Sequence, residues 1–302
     1  MLTLHNIAAV VVTFNRKDML KECVERLIHL DNPKCDVLIV DNASTDGTYD
    51  EIASLIDETQ VFYYNTGKNL GGAGGFNFGM RQAVNAGYEY VWIMDDDTYV
   101  QPDTLSALVK ADRSLKGNYG FLSSIAYWTD GELCNMNRQK VSMKDKLERF
   151  DGETQPIIMA TFVSMFIKSE IIKQFGLPIS DFFIWSDDLE YTRRISLKMP
   201  CYAVPTSKVL HNMKSNAKVG IENDSEDRLK RYEYLYRNEV YVYRREGFGG
   251  YTYLFMRVVL HSLRVLLSKG GSKRKKLGII WRSFNKGFKF HPAVEFVSGS
   301  KN

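Results

Sequence analysis

Apolar runs alternate with helical periodicities through the first half of the chain. Ile7 to Phe14, Val37 to Val40, Val61 to Tyr64 and Tyr90 to Met94 read as strands, and their alternation with helices predicts an α/β fold on a mostly parallel sheet. Between the first two runs, Leu20, Cys23, Val24, Leu27 and Ile28 recur at helical spacing and form one face that can pack on that sheet. Gln101-Pro102-Asp103 predicts a further helix start, with Pro102 in the first turn and Leu105, Leu108 and Val109 facing inward. Residues 117–155 are more polar and carry turn signals such as Thr129-Asp130-Gly131, which predicts loops covering a cleft. Order returns with a strand at Phe162 to Ile167, then Ser169 to Ile172, and a stop at Phe175-Gly176-Leu177-Pro178. Leu189, Thr192, Ile195 and Ser196 repeat at helical spacing, and Cys201 to Val204 and Val209 to His211 read as short strands.

The character changes beyond about Asn216. Arg228 to Arg245 is dense in tyrosine and arginine, and Tyr251 to Leu267 reads as an amphipathic helix. Phe255, Val258, Val259, Leu263 and Leu266 fall on one side of it, and Arg257, His261 and Arg264 on another. A length of about seventeen residues falls short of the roughly twenty apolar residues that cross a bilayer. The stripe is therefore expected either to lie on a membrane surface or to pack against the rest of the protein or a second subunit. After Gly270-Gly271, the run Lys273-Arg274-Lys275-Lys276 with Trp281, Phe284 and Phe288 continues a basic, aromatic segment suited to an anionic interface.

Charge sharpens this division. The net charge of +4 is the balance of +10 over residues 247–294, which hold ten Lys/Arg and no Asp/Glu, and −6 elsewhere. A composition of 44% hydrophobic and 25% charged residues is that of an ordinary folded globular chain, so disorder is not the default expectation. Met1 to Asn6 lack a basic n-region and a cleavage site, so a cytoplasmic protein is expected, peripheral on the inner membrane face if the basic segment meets lipid. Cys23, Cys35, Cys134 and Cys201 have neither zinc nor disulfide spacing and read as reduced thiols. The basic residues form no groove with a reading motif, which argues against nucleic acid.

The candidate chemistry sits at the ends of the predicted strands. Tyr90 to Met94 runs into Asp95-Asp96-Asp97, and residues two apart in extended chain point the same way, so Asp95 and Asp97 can grip one hard divalent cation. Mg²⁺ or Mn²⁺ holding a diphosphate is the fitting cargo; a solvated acidic turn is the plainer reading of the triplet alone. The first strand ends in Thr13-Phe14-Asn15-Arg16 and the second in Asp41-Asn42-Ala43-Ser44-Thr45, where open α/β sheets bind ligands. Asp41 can accept from a base or ribose, and Arg16 can meet a phosphate. Asn69-Leu70-Gly71-Gly72-Ala73-Gly74-Gly75 is a glycine-rich helix entry whose amides can approach a phosphate or sugar, or simply a helix-start turn. Trp185-Ser186-Asp187-Asp188 places two carboxylates at a helix start beside an aromatic ring. One carboxylate can act as general base and Trp185 can face a sugar, unless the pair merely caps the helix. His211 closes a strand as a candidate metal ligand or phosphate contact.

In this order, Val10 to Arg16, Val40-Asp41-Asn42, Asn69 to Phe76, Asp95-Asp96-Asp97, Trp185 to Asp188 and His211 resemble the family 2 glycosyltransferases over about residues 5–215. The resemblance implies a GT-A fold over residues 1–215, followed by a helical, basic region over 216–302. It implies a nucleotide-sugar donor, Mn²⁺ or Mg²⁺, and inversion at the anomeric carbon. Carried over by motif, Thr13, Asn15, Arg16, Asp41, Asn69 and Gly72 would hold the donor with Asp96 against it. Asp95, Asp97 and His211 would hold the metal, Asp188 would be the base, and Asp187 and Trp185 would position the acceptor. Within the family, the glycine segment looks most like bacterial galactofuranosyltransferases and rhamnosyltransferases of capsule, O-antigen or cell-wall polysaccharide synthesis. That implies UDP-galactofuranose, or alternatively dTDP-rhamnose, and a saccharide acceptor, plausibly lipid-linked. Ser186 between Trp185 and the acidic pair departs from the family pattern and weakens the stacking role of Trp185. From other classes, a nucleotidyltransferase would need a basic glycine-rich loop that Val11 to Arg16 lacks, and a noncatalytic binding protein would have lost the carboxylates that are present.

Overall fold

A computed structural model describes residues 5–56, 60–217 and 220–297; Met1 to Leu4, part of the stretch read as lacking a leader, lie outside them. The elements run β1 (Ile7–Thr13), α1 (Lys17–Ile28), β2 (Asp36–Asp41), α2 (Thr48–Ile56), β3 (Val61–Asn65), α3 (Gly71–Ala86), β4 (Tyr90–Asp95) and β5 (Thr98–Val100). They continue with α4 (Thr104–Ser114), β6 (Leu122–Tyr127), β7 (Gln155–Ile157), β8 (Met165–Lys168), α5 (Ser169–Phe175), α6 (Asp187–Ser196) and β9 (Cys201–His211). Three helices close the chain: α7 (Leu229–Arg244), α8 (Gly247–Leu267) and α9 (Lys273–Phe288).

The strands form one sheet in the order β3-β2-β1-β4-β8-β6-β9-β5, with β7 on β9. From β3 to β4 every pairing is parallel, as the strand–helix alternation predicts. Beyond β4 the sheet is mixed: β8 is antiparallel to β4 and β6, whereas β6 and β9 are parallel. Strand direction there is set by the long excursion between β6 and β8, which local hydrophobicity does not encode.

Burial on both faces explains why β1 is apolar from Ile7 to Val12. Successive side chains alternate faces, so Ile7, Ala9 and Val11 pack with Leu20, Cys23, Val24 and Leu27 of α1. Ala8, Val10 and Val12 pack with Phe76, Met80, Ala83 and Val84 of α3. All four cysteines are buried thiols. Gly79 lets α3 lie close: a Cβ there would stand 2.4 Å from Val10 Cγ1 and 2.8 Å from Val40 Cγ2.

Four expectations are corrected. Pro102 precedes α4, whose N-cap is Asp103, instead of occupying its first turn. The 117–155 stretch includes an inner strand, β6, whose serines and turn-rich flanks disguise it. Only Met165–Lys168 of the Phe162 run pairs as a strand. Cys201 to His211 is one strand, not two; a register shift against β6 and the Pro205-Thr206-Ser207 interruption split its apolar pattern.

Helices α7, α8 and α9 share a separate core containing Tyr232, Tyr236, Val240, Leu254, Val258, Ile280 and Phe284. Two of the three residues on the predicted polar side of α8 face this bundle, whereas Arg264 is exposed: Arg257 pairs with Glu239 at 2.9 Å, and His261 Nδ1 lies 2.9 Å from the Tyr236 hydroxyl. Of the predicted apolar face, Val258 is buried, whereas Phe255, Leu263 and Leu266 are exposed. Periodicity reports that two sides differ, not which one packs.

Gly79→Ala should destabilise the fold. Helix propensity favours alanine by about 1 kcal/mol, but overpacking against two β-branched strand residues costs about 1–3 kcal/mol. Urea denaturation should show a lower midpoint, and an equal or higher midpoint would contradict this packing.

Candidate active site

The carboxyl edge of β1, β2 and β4 collects the site. Register pairs Thr13 with Asp41 and Val12 with Asp95, so Asp41, Thr13 and Asp95 stand on neighbouring strand ends. Asp96 and Asp97 form the turn into β5, and β5 pairs with β9 so that Thr98 faces His211. The Asn212 amide donates to the Asp97 carbonyl at 2.8 Å, locking this juxtaposition. A short strand pairing thus brings His211 to the acidic turn.

Ligand atoms of Asp95, Asp97 and His211 all lie within 4.8 Å of one another. His211 Nε2 is 2.9 Å from Asp97 Oδ1, and its Nδ1 is 2.8 Å from Asn137 Oδ1. With Nδ1 held by the Asn137 amide oxygen, Nε2, which meets Asp97 in this arrangement, is the nitrogen that would ligate a cation once its proton leaves. The Thr13 hydroxyl donates to Asp96 Oδ2 at 2.7 Å, and Arg16 Nη1 bridges Asp96 at 3.0 Å and Asp97 at 2.7 Å. Two oxygen ligands and an imidazole fit a divalent cation such as Mn²⁺ or Mg²⁺.

Negative charge is in excess here. Burial, reinforced by Asp97, pushes Asp95 up to about 6. Burial pushes Asp96 up to about 7 against the opposing pull of Arg16. Burial also acts on Asp97, but the bonds from His211 and Arg16 outweigh it and hold that carboxyl below its ordinary value. His211 is the mirror image: burial would lower it, yet the Asp97 hydrogen bond and the nearby carboxylates raise it to about 10. At an effective dielectric of about 20, two like charges about 5 Å apart repel by roughly 3 kcal/mol. A cation relieves that repulsion directly.

The second acidic pair faces the same cleft. Asp187 and Asp188 open α6, where the helix dipole favours negative charge. Burial and the adjacent Asp188 push Asp187 well above the ordinary carboxylate value. Burial raises Asp188 to about 6, opposed by the Leu189 amide and Lys140 and assisted by Asp95. Asp188 Oδ1 accepts from Leu189 N at 2.7 Å, so it caps the helix in part as well.

The loop into α6 is held from outside. Phe183, Trp185 and Ser186 have φ of +63°, +66° and +66°, each sparsely populated for a residue with a side chain. Asn238 of α7, fully buried, donates its amide to the carbonyls of Phe182, Ile184 and Trp185 at 3.0, 3.2 and 2.9 Å. Phe183 stacks on Tyr234, and Trp185 meets Tyr232 edge-on at 5.0 Å. The Trp185 ring is therefore partly committed to the C-terminal core. Two ion pairs tie α6 to the ends of α7 and α8, Glu190 with Arg245 and Arg193 with Glu246, both at 2.6 Å.

On the donor side, several candidates serve the fold. Asp41 accepts from the Ser44 amide at 2.8 Å and from the Tyr63 hydroxyl. Asn15, at φ +53°, bonds across to the Ser44 hydroxyl and the Thr45 amide and so joins the first two strand-end loops. Asn69 takes the Gly71 amide at 2.8 Å, and Phe183 O takes the Ala73 amide at 3.2 Å. Gly71 is left-handed (φ +71°), and a Cβ there would fall 2.1 Å from Phe183 O, so this glycine fastens the two motifs together. Gly72 borders open space. Apart from Gly72, the glycines of this segment thus serve close packing. Asn137, Lys140 and Asn238 were not predicted, because no local pattern marks them; only the fold brings them to the acidic groups.

Residues 8–176 match the model of glycosyl transferase family 2, and the chain belongs to that family. The galactofuranosyltransferase GlfT1 of Mycolicibacterium smegmatis is 24% identical over 267 residues, 80% of this chain and 84% of that protein. The dTDP-rhamnosyl transferase RfbF of Shigella flexneri is 24% identical over 249 residues, 80% of each. Among solved structures, the mannosyltransferase PcManGT of Pyrobaculum calidifontis, in complex with GDP-Man and Mn²⁺, superposes with a TM-score of 0.59 at 18% identity, covering 95% of this chain and 76% of that one. The fold is GT-A, a mixed sheet flanked by helices with further helices at the C-terminus.

Asn238→Ala should free the Phe183–Ser186 loop at a cost of about 2–4 kcal/mol for carbonyls left unpaired. Limited chymotrypsin digestion should cut first at Phe183 or Trp185 in the variant and elsewhere in the parent. Identical cleavage patterns would contradict the clamp.

Proposed function

We propose that this family 2 glycosyltransferase moves galactofuranose from UDP-galactofuranose to a saccharide acceptor, with inversion and with Mn²⁺ or Mg²⁺ bound by Asp95, Asp97 and His211. The observation that carries this reading is one cleft holding both a buried Asp/Asp/His cluster and a second carboxylate pair whose Asp188 is raised to about 6. Similarity to GlfT1 over most of both chains supports the donor, and that to RfbF supports a second reading, rhamnose from dTDP-rhamnose. The first reading is favoured because the matched length is greater. The acceptor fits as a lipid-linked saccharide of bacterial capsule, O-antigen or cell-wall polysaccharide synthesis.

Each residue then has a role set by its position. Thr13 and Asp41 line the nucleotide end, with Asn15 and Asn69 holding the loops that frame it. Arg16, whose side chain is 47% exposed, can leave Asp96 and Asp97 for a phosphate once a cation takes over their charge. A bound divalent cation supplies positive charge against that growing on the departing diphosphate. Asp96 lies toward the donor, and Gly72 gives the sugar a wall without a side chain. Asp188, ionised, removes the acceptor hydroxyl proton as that oxygen attacks the anomeric carbon from the face opposite the diphosphate. One displacement inverts the centre, and no second nucleophilic carboxylate is needed. Asp187 and the edge of Trp185 orient the acceptor.

Donor hydrolysis and transfer measured across UDP-galactofuranose, UDP-galactopyranose, UDP-glucose and dTDP-rhamnose, with Mn²⁺ and with chelator, test the donor. Metal-dependent preference for UDP-galactofuranose is expected, and preference for dTDP-rhamnose would replace the sugar while leaving the fold and base intact. Asp188→Asn should lower turnover by about 10²–10⁴-fold with donor affinity near normal. Parent turnover should fall about tenfold per pH unit below about 6, where Asp188 becomes protonated. Normal turnover in the variant would remove Asp188 as base.

A further inference from the structure

The side of α8 turned away from the protein is apolar. Phe248, Phe255, Met256, Leu260, Leu263 and Leu267 are 47–84% exposed, and at 100° per residue they fall within an arc of about 140°. The polar groups Arg257 and His261 turn inward to Glu239 and Tyr236, the reverse of a helix built to face water. An exposed apolar surface this continuous marks an interaction site.

Charge identifies the occupant. Residues 247–294 carry ten Lys/Arg and no Asp/Glu. Arg264, Lys269, Arg274, Lys286 and Lys289 are exposed, and none forms an ion pair among the described residues. The exposed sides of the two helices meet where Tyr251 stacks on Phe288, with ring planes 3° apart, so the exposed side of α9 continues the α8 apolar face, with Arg274 at its border and Lys286 and Lys289 farther around α9. Helical spacing places Arg274 and Trp281 in line with Phe288 along α9. A second copy docking here would set cations against cations, whereas an anionic bilayer satisfies both the apolar arc and its basic border. No described helix is long and apolar enough to cross a membrane.

We propose that α8 and α9 form a membrane-docking face that lies in the headgroup plane of an anionic bilayer, with the α8 arc entering the acyl boundary and the α9 cations on lipid phosphates. This orientation is independent of the donor sugar and holds for any substrate of the cleft.

Vesicle flotation of the full chain tests it, using phosphatidylcholine vesicles with and without phosphatidylglycerol, at low and high salt, with no sugar substrate present. The parent should float with phosphatidylglycerol vesicles, less so at high salt, and little with phosphatidylcholine alone. The outward pair Phe255→Glu and Leu263→Glu, and separately Arg274→Glu with Lys286→Glu and Lys289→Glu, should each weaken binding about tenfold or more with unchanged circular dichroism. Absent flotation, equal binding to both vesicle types, or full binding by either folded variant would overturn the proposal. So would sedimentation equilibrium showing a dimer that the Phe255/Leu263 variant dissociates while vesicle binding persists.

Discussion

Carboxylates crowded into a largely buried cleft are the constraint to which the rest of the site answers. Asp95, Asp96 and Asp97 share one turn, and Asp187 and Asp188 feel Asp95 across the cleft. Burial raises four of the five, so the fold holds acids that cannot all ionise without counter-charge. Arg16 and protonated His211 supply that charge in the arrangement seen; a bound cation would take over the role of Arg16 and of the His211 proton, with the imidazole left as a ligand. Asn137 fixes the imidazole and Thr13 fixes Asp96, so the cluster is organised before a ligand arrives.

The acidic pair is positioned through a different chain of contacts. Gly71 admits the Phe183 carbonyl, left-handed residues turn the backbone sharply, and Asn238 holds three carbonyls of the same loop. Glu190–Arg245 and Arg193–Glu246 then fasten α6 to the C-terminal helices. The C-terminal region is therefore part of how the proposed base is aimed. If α8 and α9 lie on a bilayer, the same helices also fix the cleft relative to the lipid surface that would present a lipid-linked acceptor.

Much of this was legible because it is local. A buried strand ending in Asp95 to Asp97, a glycine-rich helix entry and an acidic pair at a helix start are each visible within about ten residues. What escaped depends on long-range placement. Asn137 and Asn238 look like ordinary polar residues until the fold brings them to His211 and to the Phe183 loop. Strand β6 is hidden by its serines, which find partners only in the fold: Ser124 meets Ser164 and Ser207 of β9 at 2.7 Å, and Ser123 accepts from Gln139 at 3.0 Å. The sequence leaves the apolar side of α8 open between a membrane surface and packing, because an apolar stripe implies burial only when something is available to cover it.

If the acidic turn is the proposed cation-dependent diphosphate site, the metal governs nucleotide binding. Calorimetric titration of UDP into the parent and Asp97→Ala, with Mn²⁺ and with chelator, decides this. UDP should bind the parent only with Mn²⁺, and Asp97→Ala should lose that metal dependence with weakened affinity. Equal UDP affinity with and without Mn²⁺ in the parent, or an unaltered Mn²⁺ effect in the variant, would contradict it.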